Sequence, residues 1–546
     1  MYSKNNYYSY VGHQSTFGCR MCTAKGQYAA GASNKNGVYF LNTEVAAYRT
    51  IEELKNGDSN TNMPALPPAI IKLNTFSGFM FFNLNEFHLI SRNIAQLFFN
   101  MLDPSTNEKF FHKDNIQQNQ KYTFRFKREF FPKSKIIDSI SGKINESRAM
   151  IPTTFQGSWT SINRGFYRGI DWLDTFMYVL PSIVLWRLED GAAKKALMDL
   201  INGCALALQW SIETRDLRKI KLCFSRWNVF LRDQVKKKGI NERVFTVNNH
   251  YLTHICYITE MLGPMKAYST RSTERTIKKF SNLIAGKTKT GINASNLLLK
   301  LTNYNSNLIK QLEEDTKRLD MTDTYDSTYI SHPSGCKDAP QLWEPTNKEE
   351  ECIDADNREA FHGVLGSQVE LALKSYYTRL PNNVSNVIEN RKIRLYFRLW
   401  LDSTVYSSSL YKSRKNLTSR AGHYVMFIAS RYGSIRHQDV WFVSEVLCYF
   451  THLHCGITRF LAIGKLFMNK SGDSMDEFGV PIVGKYMDGD RYAVFDVEDI
   501  LYNVGLVNYK DNNEGIYKVI WPYTVFGEKL DKRKPGKLND ILDSLV

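Results

Sequence analysis

Between Arg164 and about Leu262, apolar positions recur at intervals of three and four, the signature of helices with one buried stripe. Ala193, Leu197, Leu200, Cys204 and Leu208 mark one stripe, and Ile220, Phe224, Trp227 and Leu231 another. Nearer the amino terminus the pattern is shorter. "GVYFLN" (Gly37 to Asn42) and "SGFMFFN" (Ser77 to Asn83) read as buried strands bounded by turn residues. The second feeds "NEFHLISRNIAQLFFNML", where Phe87, Ile90, Ile94, Leu97 and Met101 follow helical spacing until Asp103-Pro104 stop it. A strand running into a helix is an α/β element, and side chains at such a junction commonly line a site.

After Gly263 the helical signal continues to about Leu299, with Gly286 and Gly291 expected to break it. From about Glu313 to Arg358 the chain turns polar and acidic ("SHPSGCKDAP", Glu349-Glu350-Glu351) and reads as a linker. Beyond a short helical part, "DVWFVSEVLCYFTHL", "ITRFLAIGKLF", "RYAVFDVEDI" and "GIYKVIWPYTVF" predict strands between Gly, Asn and Asp turns. The longest apolar run, "TFMYVLPSIVLW", is too short to cross a bilayer and holds Pro181, so a buried helix is expected.

Charge narrows the class of partner. The 546 residues carry 71 Lys and Arg against 55 acids, a formal +16, which favours nucleic acid. Five basic side chains and one acid, Glu274, fall in "GPMKAYSTRSTERTIKKFSNLI". Arg271, Arg275, Lys278 and Lys279 would present a face to a phosphate backbone, with Lys287 and Lys289 extending it. The start "MYSKNNYYSY" lacks the apolar core of a signal peptide, and the nine cysteines are odd in number and mostly single. A reducing compartment, nucleus or cytoplasm, is expected rather than secretion or a membrane. Neither a G-x-x-x-x-G-K-[ST] loop nor a G-x-S-x-G elbow occurs, and no small-molecule substrate is indicated.

Glu274 has two readings. In the first turn of a helix capped by Ser269 or Thr270, an acid gains about 0.3–1 kcal/mol from the helix dipole. Alternatively it ligates Mg2+ for phosphoryl transfer, which requires further acids around two ions about 3.5–4 Å apart. Cys19 and Cys22 have the C-x-x-C spacing of half a zinc site, and His13 lies just upstream as a third candidate ligand. His250 and His254 stand four apart on a helix with Cys256 nearby. Tyr251 takes the place of the Glu in an H-E-x-x-H protease motif, so packing or a polar surface is expected there. Cys448, His452, His454 and Cys455 read as ordinary strand residues, the two histidines on one face. "VKKKG" and "DKRKPGK" read as solvated charge or nuclear localisation signals.

The ordered series "GHQSTFGCRMC", "YRTIEELKNG", "FFNLNEFHLI", "MIPTTFQGSW", "GFYRGIDWLDTFMYVLPSIV", "FTVNNHYLTHI" and "GPMKAYSTRSTER" resembles the CACTA-type (En/Spm) DNA transposases, most like fungal representatives. The resemblance covers Gly12 to Leu299 well and the β-rich end more weakly. It implies a fold that is α/β plus α: a partial RNase H-like core split by a helical insertion, then a small β-rich domain. The implied division is 1–163 partial core with the Cys pair, 164–262 insertion and 263–312 returning basic helices. A linker at 313–358 and a C-terminal helix plus β-rich domain at 359–546 follow. Three acids are implied for catalysis. The third falls on Glu274; the second falls on Asn85, beside Glu86; the first would precede "GCRMC", where no Asp occurs before Asp58.

An amide offers a hard cation one neutral oxygen where a carboxylate offers two charged ones. The expectation is therefore a truncated, catalytically incomplete transposase-derived protein that binds DNA, with Zn2+ the candidate cofactor at the Cys pair. Two alternatives stand beside it. One is a protein-interaction scaffold; the other is an active Mg2+-dependent nuclease in which Glu86, or an acid supplied from outside this chain, completes the set.

Overall fold

The computed structural model describes residues 15–29, 37–41, 46–66, 68–102, 110–111, 123–127, 136–162, 167–284, 290–319, 329–334, 339–346, 351–353, 359–361, 363–380, 384–414, 420, 422–432, 437–470, 478–510, 515–526, 534–535, 537 and 541–542. It is a mixed helix and sheet protein. The first half is helical around one core; the second is built on a sheet of eleven strands, nearly all antiparallel.

In the first half, strands β1 (Gln27–Tyr28) and β2 (Val38–Tyr39) form a two-stranded ribbon. Helix α1 (Ile51–Asn56) opens with a capping box: Glu53 N donates to Thr50 Oγ1, and Thr50 N donates to a Glu53 carboxylate oxygen. Helices α2 (Ile136–Ser147), α3 (Gly191–Ala207) and α4 (Thr214–Lys236) then surround the π-wound helix Thr175–Val184, every residue of which is buried. That buried helix is the "TFMYVLPSIVLW" run, as expected. The stripes read from sequence face inward: Ala193, Leu197, Leu200, Cys204 and Leu208 are buried, and so are Ile220, Phe224, Trp227 and Leu231.

Some expectations fail: Gly291, expected to break the helical signal, lies inside the helix Thr290–Leu319, which also runs past Glu313 into the stretch read as a linker. Gly78–Phe82, in the stretch read as a strand, forms a 3-10 helix, and no strand leads into the helix at Phe87–Ala95. A short apolar run carries no period by which strand and helix separate, and Gly78 at φ +70° starts a turn instead of an extended segment. Ahead of Gly263, the sheets among the described residues amount to β1–β2. The sheet around which an RNase H-like core is built is not among them.

Helices α5 (Val247–Tyr251) and α6 (Ile255–Leu262) return the chain to the amino-terminal segment. The basic helix α7 (Arg271–Leu283) and the long helix α8 (Thr290–Leu319) follow. Strands β3 (Tyr329–Ser331) and β4 (Gln341–Pro345) lie inside the stretch read as a linker, and they pair at the edge of the large sheet. After helix α9 (Gly366–Thr378) come β5 (Lys392–Leu401), β6 (Tyr424–Tyr432), β7 (His437–His454), β8 (Ile457–Leu466) and β9 (Tyr492–Asp496). The main path of the sheet runs β9-β8-β7-β5-β4-β3, so the β-rich end expected from apolar runs between turn residues is present. Leu461 opposite Asp496 and Tyr449 opposite Tyr396 fix two of its registers. The smaller sheet carrying β10 (Gly505–Asn508) and β11 (Ile516–Ile520) presses Val507 and Ile520 into the helical core.

Arg420 pins the two halves together. Its guanidinium donates to the carbonyls of Ile151, Pro152, Phe155 and Gly157, gathering one loop of the helical part. Gly157 N and Trp159 Nε1 donate in turn to the buried carboxylate of Asp174, at 2.8 and 3.0 Å. A Cβ at Gly157 would meet that carboxylate at 2.6 Å, so the close approach requires glycine. Arg420→Ala should lower the free energy of unfolding by about 2–4 kcal/mol, read as a lower urea midpoint with the slope unchanged. An unaltered midpoint would show that the guanidinium contacts are incidental.

Burial lifts the Asp174 carboxyl to about 6, against the stabilising hydrogen bonds from Gly157 and Trp159. A carboxyl raised in this way contributes stability that is complete below about pH 4 and lost as pH rises through about 6. Wild type should therefore lose up to about 3 kcal/mol relative to Asp174→Asn between pH 4 and 7. A pH-independent gap between the two proteins would remove Asp174 as the cause.

Candidate metal centre and basic helix

Cys19 and Cys22 lie in a tight loop whose backbone is held on several sides. Gly18 N donates to Ser15 O, Thr23 N to Ala47 O and Arg49 N to Met21 O. The Arg49 guanidinium threads the loop, Nε donating to Cys19 O at 3.0 Å and Nη2 to Phe17 O at 2.9 Å. His250 and His254 come from the other end of the region, on α5 and the turn that continues it. Thr246 caps α5 by accepting from Asn249 N, and helical spacing sets the two imidazoles on one face.

These four side chains converge. All four ligand atoms lie within 4.8 Å of one another, and all four residues are buried, with 0–2% exposure. Cys19 Sγ is 3.5 Å from His254 Nε2, Cys22 Sγ is 3.3 Å from His250 Nε2, and the two Nε2 atoms are 3.2 Å apart. A tetrahedral zinc with bonds of about 2.3 Å to sulfur and 2.0–2.1 Å to nitrogen has edges of about 3.6 Å for S···N and 3.4 Å for N···N. The spacings here are those of such a tetrahedron. Two thiolates and two imidazoles also form the donor set that suits zinc among common cations. The cluster can thus hold a metal ion such as Zn2+.

Electrostatics prepares it for a cation. Burial alone would raise the Cys19 thiol, but the Cys22 thiol and the two imidazoles facing it stabilise the thiolate, and the lowering wins. Cys22 moves upward because it shares its proton with Cys19 and is itself buried. Burial lowers the pKa of His254, keeping the ring neutral as a ligand must be. Aromatic rings close the surroundings: Phe40 stacks on His250 at 5.0 Å and Tyr48 lies 5.5 Å from His254. Four protein ligands and no exposed coordination position describe a structural site, not a catalytic one.

The sequence reading had the cysteine half of this site but paired it with His13, which lies outside the described residues. His250 and His254, read as packing residues, are the other half. Each half was visible as C-x-x-C or H-x3-H; what linked them was that each lacked what the other supplied. The second Cys/His group is differently engaged. His452 Nδ1 faces Tyr377 OH at 2.6 Å and its Nε2 faces Asn390 O, while His454 Nε2 faces Ser385 O at 2.7 Å. Cys448 is buried among apolar residues and Cys455 is exposed.

The second region of interest joins residues 85–88 to the start of α7. Asn85 Oδ1 accepts from Phe87 N at 2.8 Å and His88 N at 3.1 Å, so it caps the following helix, and its Nδ2 donates to Thr270 Oγ1. Glu86 is buried, with 1% exposure; its Oε1 accepts from Ser269 Oγ at 2.7 Å and lies 2.9 Å from Arg271 Nε. Glu274, one turn along α7, is half-exposed and 3.5 Å from His88 Nε2. The two stretches paired by sequence do meet. Glu86, however, points to Arg271 and Ser269, and Glu274 has an imidazole for a neighbour. Among the described residues the only group of three or more His, Cys, Asp or Glu able to share an ion is the Cys2His2 cluster.

Arg271 is mostly covered, whereas Arg275, Lys278 and Lys279 are exposed and carry no ion pair among the described residues. Lys287 and Lys289 lie outside them. Among the described residues no helix is long and apolar enough to cross a membrane. No family model matches the chain, and neither a curated protein nor a solved structure matches it.

Purified protein should carry about one zinc per chain by elemental analysis, and Cys22→Ser or His254→Ala should reduce that below about a fifth. Stripping the metal with a chelator should lower the melting temperature by several degrees. Full stability with no metal bound would refute the site.

Proposed function

We propose that this protein is a zinc-stapled DNA-binding protein derived from a CACTA-type transposase, without a complete nuclease centre in this chain. The observation that carries the reading is the cationic face of α7, where Arg275, Lys278 and Lys279 stand exposed and make no ion pair among the described residues. A row of unpaired cations on a helix exchanges condensed counterions for phosphates and gives affinity without base recognition. The face is held in place, because the Arg271–Glu86 pair and the Asn85–Thr270 hydrogen bond tie the start of α7 to the helix at Phe87.

On this reading the Cys2His2 cluster contributes folding, not chemistry. It fixes α5 and α6 against the amino-terminal loop, and α6 leads through Gly263 into the basic segment. Asn85 serves as a helix cap and Glu86 as the buried partner of an arginine, roles that need no metal. A split RNase H-like ancestry would account for the order of the segments and for Glu274 lying where the chain returns. The scaffold reading is favoured by α8, whose Leu298, Leu299, Tyr304 and Ile309 are 49–66% exposed.

Retention on duplex DNA across a salt gradient separates the readings. Lys278→Glu with Lys279→Glu should weaken duplex binding by roughly ten- to a hundred-fold and reduce the log–log salt slope by about two. Salt-independent retention, or none, would leave the scaffold. Mg2+-dependent nicking that disappears in Glu274→Gln would overturn the loss of nuclease function.

A further inference from the structure

Next to the start of α7 lies a second feature that the basic face does not explain. Trp210, in the turn between α3 and α4, is 71% exposed, the most exposed tryptophan among the large apolar side chains. A large ring held in water offers a flat face on which a base can stack. Its support is rigid. Gln209 Nε2 donates to Tyr523 O at 2.8 Å, Tyr523 N donates to Tyr178 OH at 2.8 Å, and Asn202 exchanges two hydrogen bonds with Phe526. The turn is thereby clamped to the loop after β11.

Beside the ring is a cation with no anion. Lys266 Nζ is 5.1 Å from the Trp210 centroid and 3.2 Å from that of Tyr523, and no carboxylate lies within ion-pair distance of it among the described residues. Glu86 is the acid of this neighbourhood and is engaged through Oε1 by Arg271 and Ser269. Its Oε2, like Arg271 Nη2 and Tyr268 OH, is enclosed without a hydrogen-bond partner. Burial, with Arg271 nearby, lowers the Lys266 ammonium to about 8. Two cations, Lys266 and Arg271, thus share the single acid Glu86, and Lys266 is the cation beside the exposed ring.

Resting on the DNA-binding reading above, we propose that Trp210 and Lys266 form a subsite for one unpaired nucleotide of DNA. The phosphate is taken by the Lys266 ammonium, and the base stacks on Trp210. The two halves of the ligand match the two halves of the site, an anion for the lysine and a flat π face for the indole. A paired base inside a duplex has both faces covered by its neighbours and cannot stack on a protruding ring, so the ligand is a strand end, a gap or an extruded nucleotide. Lys266 covers one face of the indole and the high exposure leaves the other accessible.

The test is fluorescence anisotropy with two labelled DNAs of one sequence, a single strand and the blunt duplex, on full-length wild type, Trp210→Ala, Trp210→Phe and Lys266→Gln. Trp210→Ala should weaken the single strand about ten-fold and leave the duplex within about two-fold, with Trp210→Phe restoring most of the loss. Lys266→Gln should also weaken the single strand more than the duplex. Melting curves matching wild type keep misfolding from imitating the result. Equal loss on both DNAs, or no loss on either, in Trp210→Ala overturns the subsite, while salt-sensitive duplex binding by wild type would still uphold the basic face. Wild type that binds neither DNA overturns both.

Discussion

Two short segments more than two hundred residues apart, each carrying half of a ligand set, are held in one buried tetrahedron. That convergence ties the amino-terminal loop to α5 and the turn that continues it. Cys19 and Cys22 have no exposed surface with which to do chemistry, and the imidazoles opposite them are equally enclosed. Two thiols and two imidazoles in an apolar interior crowd four acceptor atoms together around few protons. A divalent cation would satisfy them all at once, and its binding free energy would become folding free energy. A core with Phe40 and Tyr48 around the ligands supplies the dry walls that keep the site closed.

From that point the chain leads outward to the exposed cations of α7, the surface proposed to meet DNA. His250 and His254 sit one helix away from Gly263, and α7 begins eight residues later. Its first turn is fastened by Glu86, whose buried charge is tolerated because Arg271 and Ser269 compensate it. What α7 then exposes is a set of cations, and beyond them a tryptophan whose supporting turn is locked by Gln209 and Asn202. The β-rich half is joined mainly through Arg420 and through β10 and β11, which complete the helical core instead of standing apart from it.

Much of this architecture could be read from the pattern of residues, and the failures have physical causes. The stripes at Ala193–Leu208 and Ile220–Leu231 have the period of a helix with one buried face, and β7 and β8 are apolar runs bounded by turn residues, as buried strands are. Gly78–Phe82 carried no period, so its helical turn was hidden. β3 and β4 are three and five residues long inside a polar stretch, too short to show a period of their own. At the candidate site, Asn85 looked like a decayed metal ligand, yet its oxygen caps a helix, a role any Asx residue fills equally well. The cysteine pair announced half a metal site, and the missing half was spelled out at His250 and His254. Neither motif says which distant segment it will meet, and that information resides only in the packed core.

X-ray absorption at the zinc edge on the purified full-length chain tests this account most directly. Two sulfur neighbours at about 2.3 Å and two nitrogen neighbours at about 2.0 Å are predicted, with imidazole outer-shell scattering. A first shell of oxygen and nitrogen alone, or one sulfur-rich enough to need more than two cysteines, would contradict it.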